Sequence, residues 1–267
     1  MTEDNLTKEQ IYIAVDLSHF PEKGFDLASQ IANAHEKSIC FLFFLNKKEK
    51  EDTAENILSS WCDQQKDKIK CNVTYCILSD DIDFTDFMER NEAAAIIFEL
   101  TEEGVYKNCK KALKICRELR IPYYFIKSNQ TVNFKRVLVP VGFLVEEREK
   151  GVFCSGMGRI FQSEILLMTA NDYGSRAQQN TEAIQALMDK QSLPYKFITA
   201  KKDSFKVELE AVEKVEDLQV GLLLISASRD YGMDDILFGP KEQKVINKCT
   251  VPVMVINPRK DLYALCS

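Results

Sequence analysis

Short apolar runs alternate with longer segments of helical periodicity along the whole chain. The run "IYIAVDLS" from Ile11 has the length and composition of a buried strand, and "ICFLFFL" from Ile39 is a second one. Between them, "GFDLASQIANAHEKS" from Gly24 places apolar residues at helical spacing. Further strands of this half are predicted at "CNVTYCIL" from Cys71, "AAAIIFEL" from Ala93 and "IPYYFIK" from Ile121. Helices are predicted over residues 53–66, 83–90 and 108–119. This alternation predicts βαβ units around a parallel sheet.

The same order of runs then starts again. The matching strands are "RVLVPVG" from Arg136, "EILLMTA" from Glu164, "LPYKFITA" from Leu193, "VGLLLISA" from Val220 and "VPVMVIN" from Val251. Equivalent strands lie about 120–130 residues apart, a normal length for one compact domain. The polar stretch "SNQTVN" from Ser128 is the predicted joint. We therefore expect two tandem α/β domains, residues 1–130 and 131–267, each with a doubly wound, mostly parallel, five-stranded sheet.

The overall composition bears on which classes of partner the protein has and on where it is located. The 267 residues carry 41 acidic and 35 basic side chains, for a net charge of −6. That balance predicts neither a nucleic-acid partner nor an anionic membrane partner. The first residues lack the apolar stretch of a signal peptide, and the apolar runs are too short to span a bilayer. The sequence therefore predicts a soluble, cytoplasmic protein.

Cysteine and histidine usage gives little sign of metal or redox chemistry. The nine cysteines are an odd number, and several, such as Cys40 and Cys76, lie in apolar runs. Reduced thiols packed as small hydrophobic groups are the expected state. The two histidines, His19 and His35, have no cysteine partner at the spacing of a zinc site. No metal site is expected, and Cys266 is the best candidate for an exposed thiol.

Motifs that would indicate an enzyme are missing from the sequence. The chain has no G-x-S-x-G elbow, no Walker A pattern and no helical H-E-x-x-H. The pairs Asp80-Asp81 and Asp234-Asp235 are interpreted as solvated loop or helix-start acids rather than catalytic groups. The glycines at 151, 156 and 158 resemble a phosphate loop in isolation, but they fall in a predicted helix. Close packing against a helix or the sheet explains them there, with a widened pocket mouth as the functional alternative. No catalytic residue is therefore predicted.

Taken together, the ordered runs resemble the universal stress protein family in its tandem-domain form. "RVLVPV" resembles the opening strand of that family, "FQSEILLM" its junction of helix and second strand, and "ILFGPKEQKVINKCTVPVMVIN" its closing loop, helix and last strand. "IYIAVDLS" and "FDLASQIANAHEKSICFLFFL" carry the likeness in the first half. The resemblance implies a Rossmann-like fold of the adenine nucleotide α-hydrolase type and a role in the stress response.

The resemblance also implies where a nucleotide would bind. ATP-binding members place an Asp after the first strand, and G-x2-G-x9-G followed by Ser or Thr after the fourth; the glycines let the backbone approach the phosphates. Laid on this chain, the glycine positions fall on Ser226, Arg229 and Gly239, and the hydroxyl position falls on Pro240. Pro240 offers neither an N–H nor a hydroxyl. Losing two charge-assisted hydrogen bonds weakens binding by roughly a hundredfold or more.

The two halves divide the remaining features of the site between them. Asp16 matches the family Asp, either as a ribose acceptor or as a cap of its own turn, whereas the second half has Gly142 there. The loop after "AIIFEL" in the first half carries Glu102, Glu103 and a single glycine, Gly104. The crevice candidates of the second half are therefore Val141, Gly142, Ser226, Arg229, Gly232 and Gly239.

Three functions stay open from the sequence, and one of them is a purely structural interaction module. The first is a non-enzymatic stress-response protein with a degenerate nucleotide site and no cofactor. The alternative is a regulator whose C-terminal crevice binds ATP, AMP or another small metabolite, with Arg229 replacing lost donors. No protein partner can be named. The family's pairing of last strands implies an internal pairing between the strand from Ile121 to Ile126 and the strand from Val251 to Ile256.

Overall fold

The computed structural model describes residues 9–46, 50–79, 82–228 and 241–259. The chain divides into two compact units, Met1–Asn129 and Gln130–Ser267. Each unit alternates strands with helices, as the periodicity predicts. That each unit is an independently folding domain stays a prediction.

The strands of the first unit are paired in the order β3-β2-β1-β4-β5, and all neighbours are parallel. Its elements are β1 (Gln10–Val15), α1 (Glu22–His35), β2 (Ser38–Leu45), α2 (Glu51–Gln65), β3 (Val73–Ser79), α3 (Phe84–Arg90), β4 (Ala93–Leu100), α4 (Lys110–Ile115) and β5 (Tyr123–Lys127). The sequence predicted a longer fourth helix, over 108–119. Helix α4 is short because Cys116 begins a turn, with Leu119 N–H bonded to the Cys116 carbonyl.

The second unit repeats this arrangement, with parallel neighbours in the order β10-β9-β6-β7-β8. Its elements are β6 (Arg136–Val141), a 3₁₀ helix (Val145–Glu149), α5 (Lys150–Phe161), β7 (Glu164–Thr169), α6 (Arg176–Lys190), β8 (Tyr195–Thr199), α7 (Val207–Lys214), β9 (Leu222–Ser226), α8 (Lys241–Lys248) and β10 (Val253–Ile256). The central strands β6 and β9 are buried along nearly their whole length, which explains their continuous apolar runs.

The glycines at 151, 156 and 158 lie in α5, so the prediction of a helix there is confirmed. A Cβ on Gly158 would meet the side chain of Leu193 at 3.1 Å, whereas one on Gly156 would meet nothing within 4 Å. Packing therefore accounts for Gly158 and leaves Gly156 without a structural reason.

The described part of the chain also bears on the cysteine and membrane predictions. Its eight cysteines are free thiols, and burial raises the pKa of Cys40 to about 12. Within the same residues, no group of acidic, histidine and cysteine side chains could hold a metal ion. None of the described helices has the length and apolar character needed to cross a bilayer. Cys266 lies outside the described residues.

Candidate functional site

In each unit the order of the parallel strands reverses at one point, which is where a ligand crevice is expected. In the first unit this point lies at the carboxyl ends of β1 and β4, and in the second at those of β6 and β9. Ligands of open α/β sheets bind at such points, because the loops after the two strands diverge there. We call them the first and second crevices.

Asp16 lies in the first crevice, but its carboxylate is already occupied by the protein. Oδ1 accepts hydrogen bonds from the Ser18 backbone N–H at 3.1 Å and the Ser18 hydroxyl at 2.6 Å. Oδ2 accepts the N–H of Val105 at 3.0 Å. Burial raises the pKa of Asp16, but these hydrogen bonds outweigh burial and hold it below its usual value. The contacts are those of a turn cap, and the ribose role stays a prediction.

Gly104 lets the loop after β4 close over Asp16. Its φ is +90°, and a Cβ at this position would lie 2.1 Å from Asp16 Oδ2. A side chain is therefore excluded both by backbone conformation and by contact. The approach of this loop leaves a crevice of about 10 Å³. That is room for about one water molecule, whereas small-molecule sites are usually roughly 300–1,000 Å³.

A second carboxylate, Glu99, also lines the first crevice. Its side chain is buried, and Oε2 accepts the N–H of Gly24 in the first turn of α1 at 2.8 Å. Burial raises the pKa of Glu99, although the Gly24 hydrogen bond and nearby His19 lower it in part. A helix N-terminus is a natural phosphate site, and here an internal carboxylate already satisfies one of its donors.

In the second crevice, Gly142 follows buried Val141 at the end of β6, and its backbone is held on both sides. The Gly142 N–H donates to Glu147 Oε2 at 2.9 Å, and its carbonyl accepts from Asn180 Nδ2 at 2.9 Å. A Cβ on Gly142 would lie 2.9 Å from the Ser204 hydroxyl. An Asp here, as in the family pattern, would have to displace Ser204.

Glu147 is fixed by a buried ammonium group. Lys150 is fully buried, and its Nζ donates to Glu147 Oε2 at 2.8 Å and to the Pro140 carbonyl at 2.6 Å. Burial raises the pKa of Glu147, but Lys150 and the Gly142 N–H outweigh burial and lower it. Glu147 is therefore charged at neutral pH and acts as an internal anion at the end of β6.

The far side of the second crevice holds another buried carboxyl group. Glu242, in the first turn of α8, is fully buried and accepts a hydrogen bond from the backbone N–H of Ser228, just after β9. Burial raises its pKa to about 7. Beside it, Lys241 Nζ lies 2.9 Å from Glu208 Oε2. Burial lowers the pKa of Lys241, but Glu208 and Glu147 outweigh burial and raise it.

Two buried polar atoms of this crevice have no hydrogen-bond partner among the described residues. They are the hydroxyl of Ser226 and Oε2 of Glu242. Ser226 therefore lies at the end of β9, as predicted, with its hydrogen-bonding capacity unused. The other candidates of the loop, Arg229, Gly232 and Gly239 together with Pro240, lie outside the described residues.

Sequence reasoning missed the charged groups that fill the second crevice. The run "VEEREK" from Val145 contains one available signal, because Glu147 and Lys150 are three residues apart and face the same side of a helical turn. A second available signal is Glu242, because an acid in the first turn of a helix interacts favourably with the N–H groups there. The pairs Asp80-Asp81 and Asp234-Asp235 lie outside the described residues.

Comparisons with known proteins find likeness in structure alone. Neither a protein-family model nor a curated protein sequence matches the chain. A universal stress protein from Archaeoglobus fulgidus DSM 4304 is similar to it with a TM-score of 0.72 and 14% identity, over 94% of this chain and 98% of that one. A protein of unknown function from Pseudomonas aeruginosa PAO1 is similar with a TM-score of 0.66 and 13% identity, over 97% and 95% of the two chains.

A third similar structure is a protein provisionally named a universal stress protein, from Pseudomonas aeruginosa UCBPP-PA14. Its TM-score is 0.63 at 11% identity, over 97% of this chain and 96% of that one. The predicted α/β fold with a mostly parallel sheet is therefore confirmed, and it is the fold of universal stress protein structures.

Proposed function

We propose that the chain is a non-enzymatic, cytoplasmic stress-response protein of the universal stress protein family, built from two fused five-stranded domains, whose nucleotide site is degenerate. The strand order repeated in both units and the fold of the similar structures support this reading. The absence of enzyme motifs in the sequence supports a role in binding or signalling rather than catalysis.

One observation carries the proposal that the site is degenerate. Carboxylates of the chain itself lie where a phosphate would need N–H donors, with Glu147 on the Gly142 N–H and Glu242 on the Ser228 N–H. A bound phosphate would have to displace these carboxyl groups or lie beside them, where Glu147, which is held charged, would repel it strongly in a region of low dielectric. The replacement of motif glycines by Ser226 and Arg229, and of the hydroxyl residue by Pro240, acts in the same direction.

A thermal-shift screen with ATP–magnesium, ADP and AMP tests this proposal. A ligand at a hundred times its dissociation constant would stabilise the protein by about 2.7 kcal/mol, so we expect almost no shift for the native chain. The comparison variants restore the motif with Ser226→Gly, Arg229→Gly and Pro240→Ser, without and with Glu242→Gln. Only the second also removes an internal carboxyl group, so we expect the larger nucleotide shift from it. A clear shift of the native chain at submillimolar ATP would reject the degenerate-site proposal.

The alternative function is a regulator that binds a small metabolite in the second crevice, through Gly142, Arg229, Gly232 and Gly239. The observation that favours it is a pair of buried atoms, Ser226 Oγ and Glu242 Oε2, that have no hydrogen-bond partner in the described part of the chain. A carboxylate accepts hydrogen bonds, so a ligand with hydroxyl or amino donors fits these atoms better than a phosphate does. The same screen, extended to neutral and cationic metabolites, would reveal such a ligand, and its stabilisation should be lost on Ser226→Ala.

We also propose that the two halves associate within one chain through the strands that begin at Ile121 and Val251. Each of the observed strands, β5 and β10, ends the strand order of its own unit, and both have high β-propensity. Phe125→Pro with Met254→Pro should separate the halves while each sheet persists, which small-angle scattering can measure. An unmodified chain that already scatters as two independent bodies would exclude the pairing.

A further inference from the structure

Exposed apolar side chains are concentrated on three loops of the second unit. Half of the large hydrophobic residues that stand exposed in the described part of the chain are on these loops. They are Leu144 at 49%, Val145 at 41%, Tyr173 at 110% and Phe205 at 74% relative exposure. The loops follow β6, β7 and β8, so they share the carboxyl edge of the parallel sheet. We call these four residues, with Phe143, the apolar loop surface.

The three loops are fastened to one another, so the exposure of these side chains is built into the fold. The ring of Phe143 contacts that of Phe205, with centroids 5.6 Å apart. The Phe143 N–H donates to the Ser204 hydroxyl at 2.8 Å, and Asp172 accepts from the Ser204 N–H at 2.8 Å and from its hydroxyl at 2.5 Å. Apolar groups in a rigid frame cannot turn inward to escape water, and such patches mark interaction sites.

Exposed basic side chains lie on the same loop as Phe205, whereas the acids of the three loops are buried or half-buried. Lys201, Lys202 and Lys206 are exposed, and none forms an ion pair with a described residue. Glu210 is buried and accepts the backbone N–H groups of both Lys201 and Lys202, at 2.7–2.9 Å. Asp203 and Asp172 are half-buried and accept the N–H groups of Phe205 at 3.1 Å and Ser204 at 2.8 Å. Three exposed lysines therefore stand against two half-buried carboxylates, so the outward charge of these loops is positive in a chain whose net charge is −6.

We propose that the apolar loop surface docks the protein reversibly on an anionic lipid surface. Phe205 and Leu144 enter the headgroup region, and Lys201, Lys202 and Lys206 face the lipid phosphates. Positive groups beside exposed apolar ones match an anionic leaflet, which attracts basic residues electrostatically and accepts apolar side chains at its interface.

The shape of the surface favours a lipid over a protein partner. Tyr173 and Phe205 protrude from the loops, as their exposures of 110% and 74% show. A protein would need matching pockets for them, whereas a lipid interface deforms around protruding groups. The sequence-based expectation of no membrane partner rested on the net charge of the whole chain. It could not register that Glu210 and the glutamates of the 3₁₀ helix are buried while the lysines are exposed.

Sedimentation with lipid vesicles tests the proposal on the full chain. The probes are vesicles of phosphatidylcholine alone and vesicles containing about one-third phosphatidylserine. We expect binding to the anionic vesicles at low salt, weaker binding near about 0.15 M salt, and little binding to the neutral vesicles. Failure to bind the anionic vesicles at low salt would overturn the proposal, as would equal binding to both compositions.

Matched charge variants locate the interaction. The triple change Lys201→Gln, Lys202→Gln, Lys206→Gln should weaken binding on the order of a hundredfold, at about fivefold per basic group. The control removes three exposed lysines that directly precede strands or end helices at the opposite edge of the same sheet. They are Lys135, Lys190 and Lys248. An equal loss in both triple variants would show that net charge alone acts, and would reject the docking surface.

A fluorescent reporter tests whether the apolar side chains insert. The chain has one tryptophan, Trp61, buried in the first unit, so a new one is readable. Phe205→Trp emission should shift to shorter wavelength on anionic vesicles and become shielded from an aqueous quencher. Phe197→Trp, on the exposed side of β8 at 53% exposure, serves as the control. If the quencher still reaches the tryptophan of the Phe205→Trp variant while the protein is bound to vesicles, the side chain does not insert and the contact is purely electrostatic. That result would reject the insertion of Phe205.

Discussion

Replacing Lys150 by Met is the sharpest perturbation of the second crevice. The ammonium group of Lys150 is fully buried and makes hydrogen bonds to Glu147 at 2.8 Å and to the Pro140 carbonyl at 2.6 Å. Met keeps most of the length and volume of the side chain but removes the charge. Glu147 is then left as a buried carboxylate with only the N–H of Gly142 as a described donor.

The magnitude follows from the state of Glu147 after the substitution. Removing one partner of a buried ion pair costs about 3–5 kcal/mol, because the other charge is left uncompensated. For a protein of this size we expect the melting temperature to fall by on the order of 10 °C. The matched control is Lys214→Met, because Lys214 forms an exposed pair with Asp217 at the same spacing of three residues, 3.8 Å apart. The Lys214→Met variant should lose at most about 0.5 kcal/mol of stability.

The pH dependence of the variant provides an independent check. In the native chain the pKa of Glu147 is below its usual value, so its stabilisation is present above the unfolded pKa and is lost as the solution is acidified. Without Lys150, burial should raise that pKa, and the buried charge then destabilises more as the pH rises. Lys150→Met should therefore be closer to the native stability at pH 5 than at pH 8.

Urea unfolding followed by circular dichroism measures these free energies. The double variant Lys150→Met, Glu147→Gln should lose less stability than the sum of the single variants, because the second change removes the orphaned charge. If Lys150→Met cost less than about 1 kcal/mol and showed no pH dependence relative to the native chain, Glu147 would not be held as a buried anion. The explanation of the closed crevice would then be wrong.

Three further predictions concern other positions. Gly104→Ala should destabilise the protein by at least about 1 kcal/mol in urea unfolding, because its Cβ would lie 2.1 Å from Asp16 Oδ2 at a φ of +90°; an unchanged midpoint would contradict that contact. The pKa of Glu242 is raised to about 7, so the stability that this group contributes is present below its unfolded pKa and is lost as the pH rises through about 7. Between pH 5 and pH 8 the free energy of unfolding of Glu242→Gln should therefore rise by about 2–3 kcal/mol relative to that of the native chain. Parallel pH profiles of the two proteins would contradict this. Gly156→Ala should stabilise the protein by about 0.5–1 kcal/mol, measured by the melting temperature. The gain should exceed that of Gly158→Ala, since a Cβ would meet open space at Gly156 but Leu193 at Gly158.

The order of strands and helices could be predicted from local patterns, but the closing of the crevices could not. Runs such as "RVLVPV" and "GLLLIS" are buried on both faces, so their apolar composition alone indicates central strands. The contact of Gly104 with Asp16 joins residues 88 positions apart, and nothing in either local sequence predicts it.

Burial of charged residues was equally invisible in the pattern. A fully buried lysine is rare, so the run "VEEREK" was not predicted to pack beneath the end of β6, where Lys150 reaches the Pro140 carbonyl. The same holds for Glu210, whose inward turn leaves Lys201 and Lys202 as the outward charges of their loop. Only the folded arrangement shows which charges face solvent.

Calorimetric titration of the native chain with ATP–magnesium tests the central claim most directly. Because Glu147 and Glu242 occupy the N–H groups of Gly142 and Ser228, we predict no measurable heat of binding at submillimolar ATP and no nucleotide in the purified protein. A micromolar dissociation constant that is lost on Gly239→Asp would contradict this account and establish the chain as a nucleotide-binding regulator.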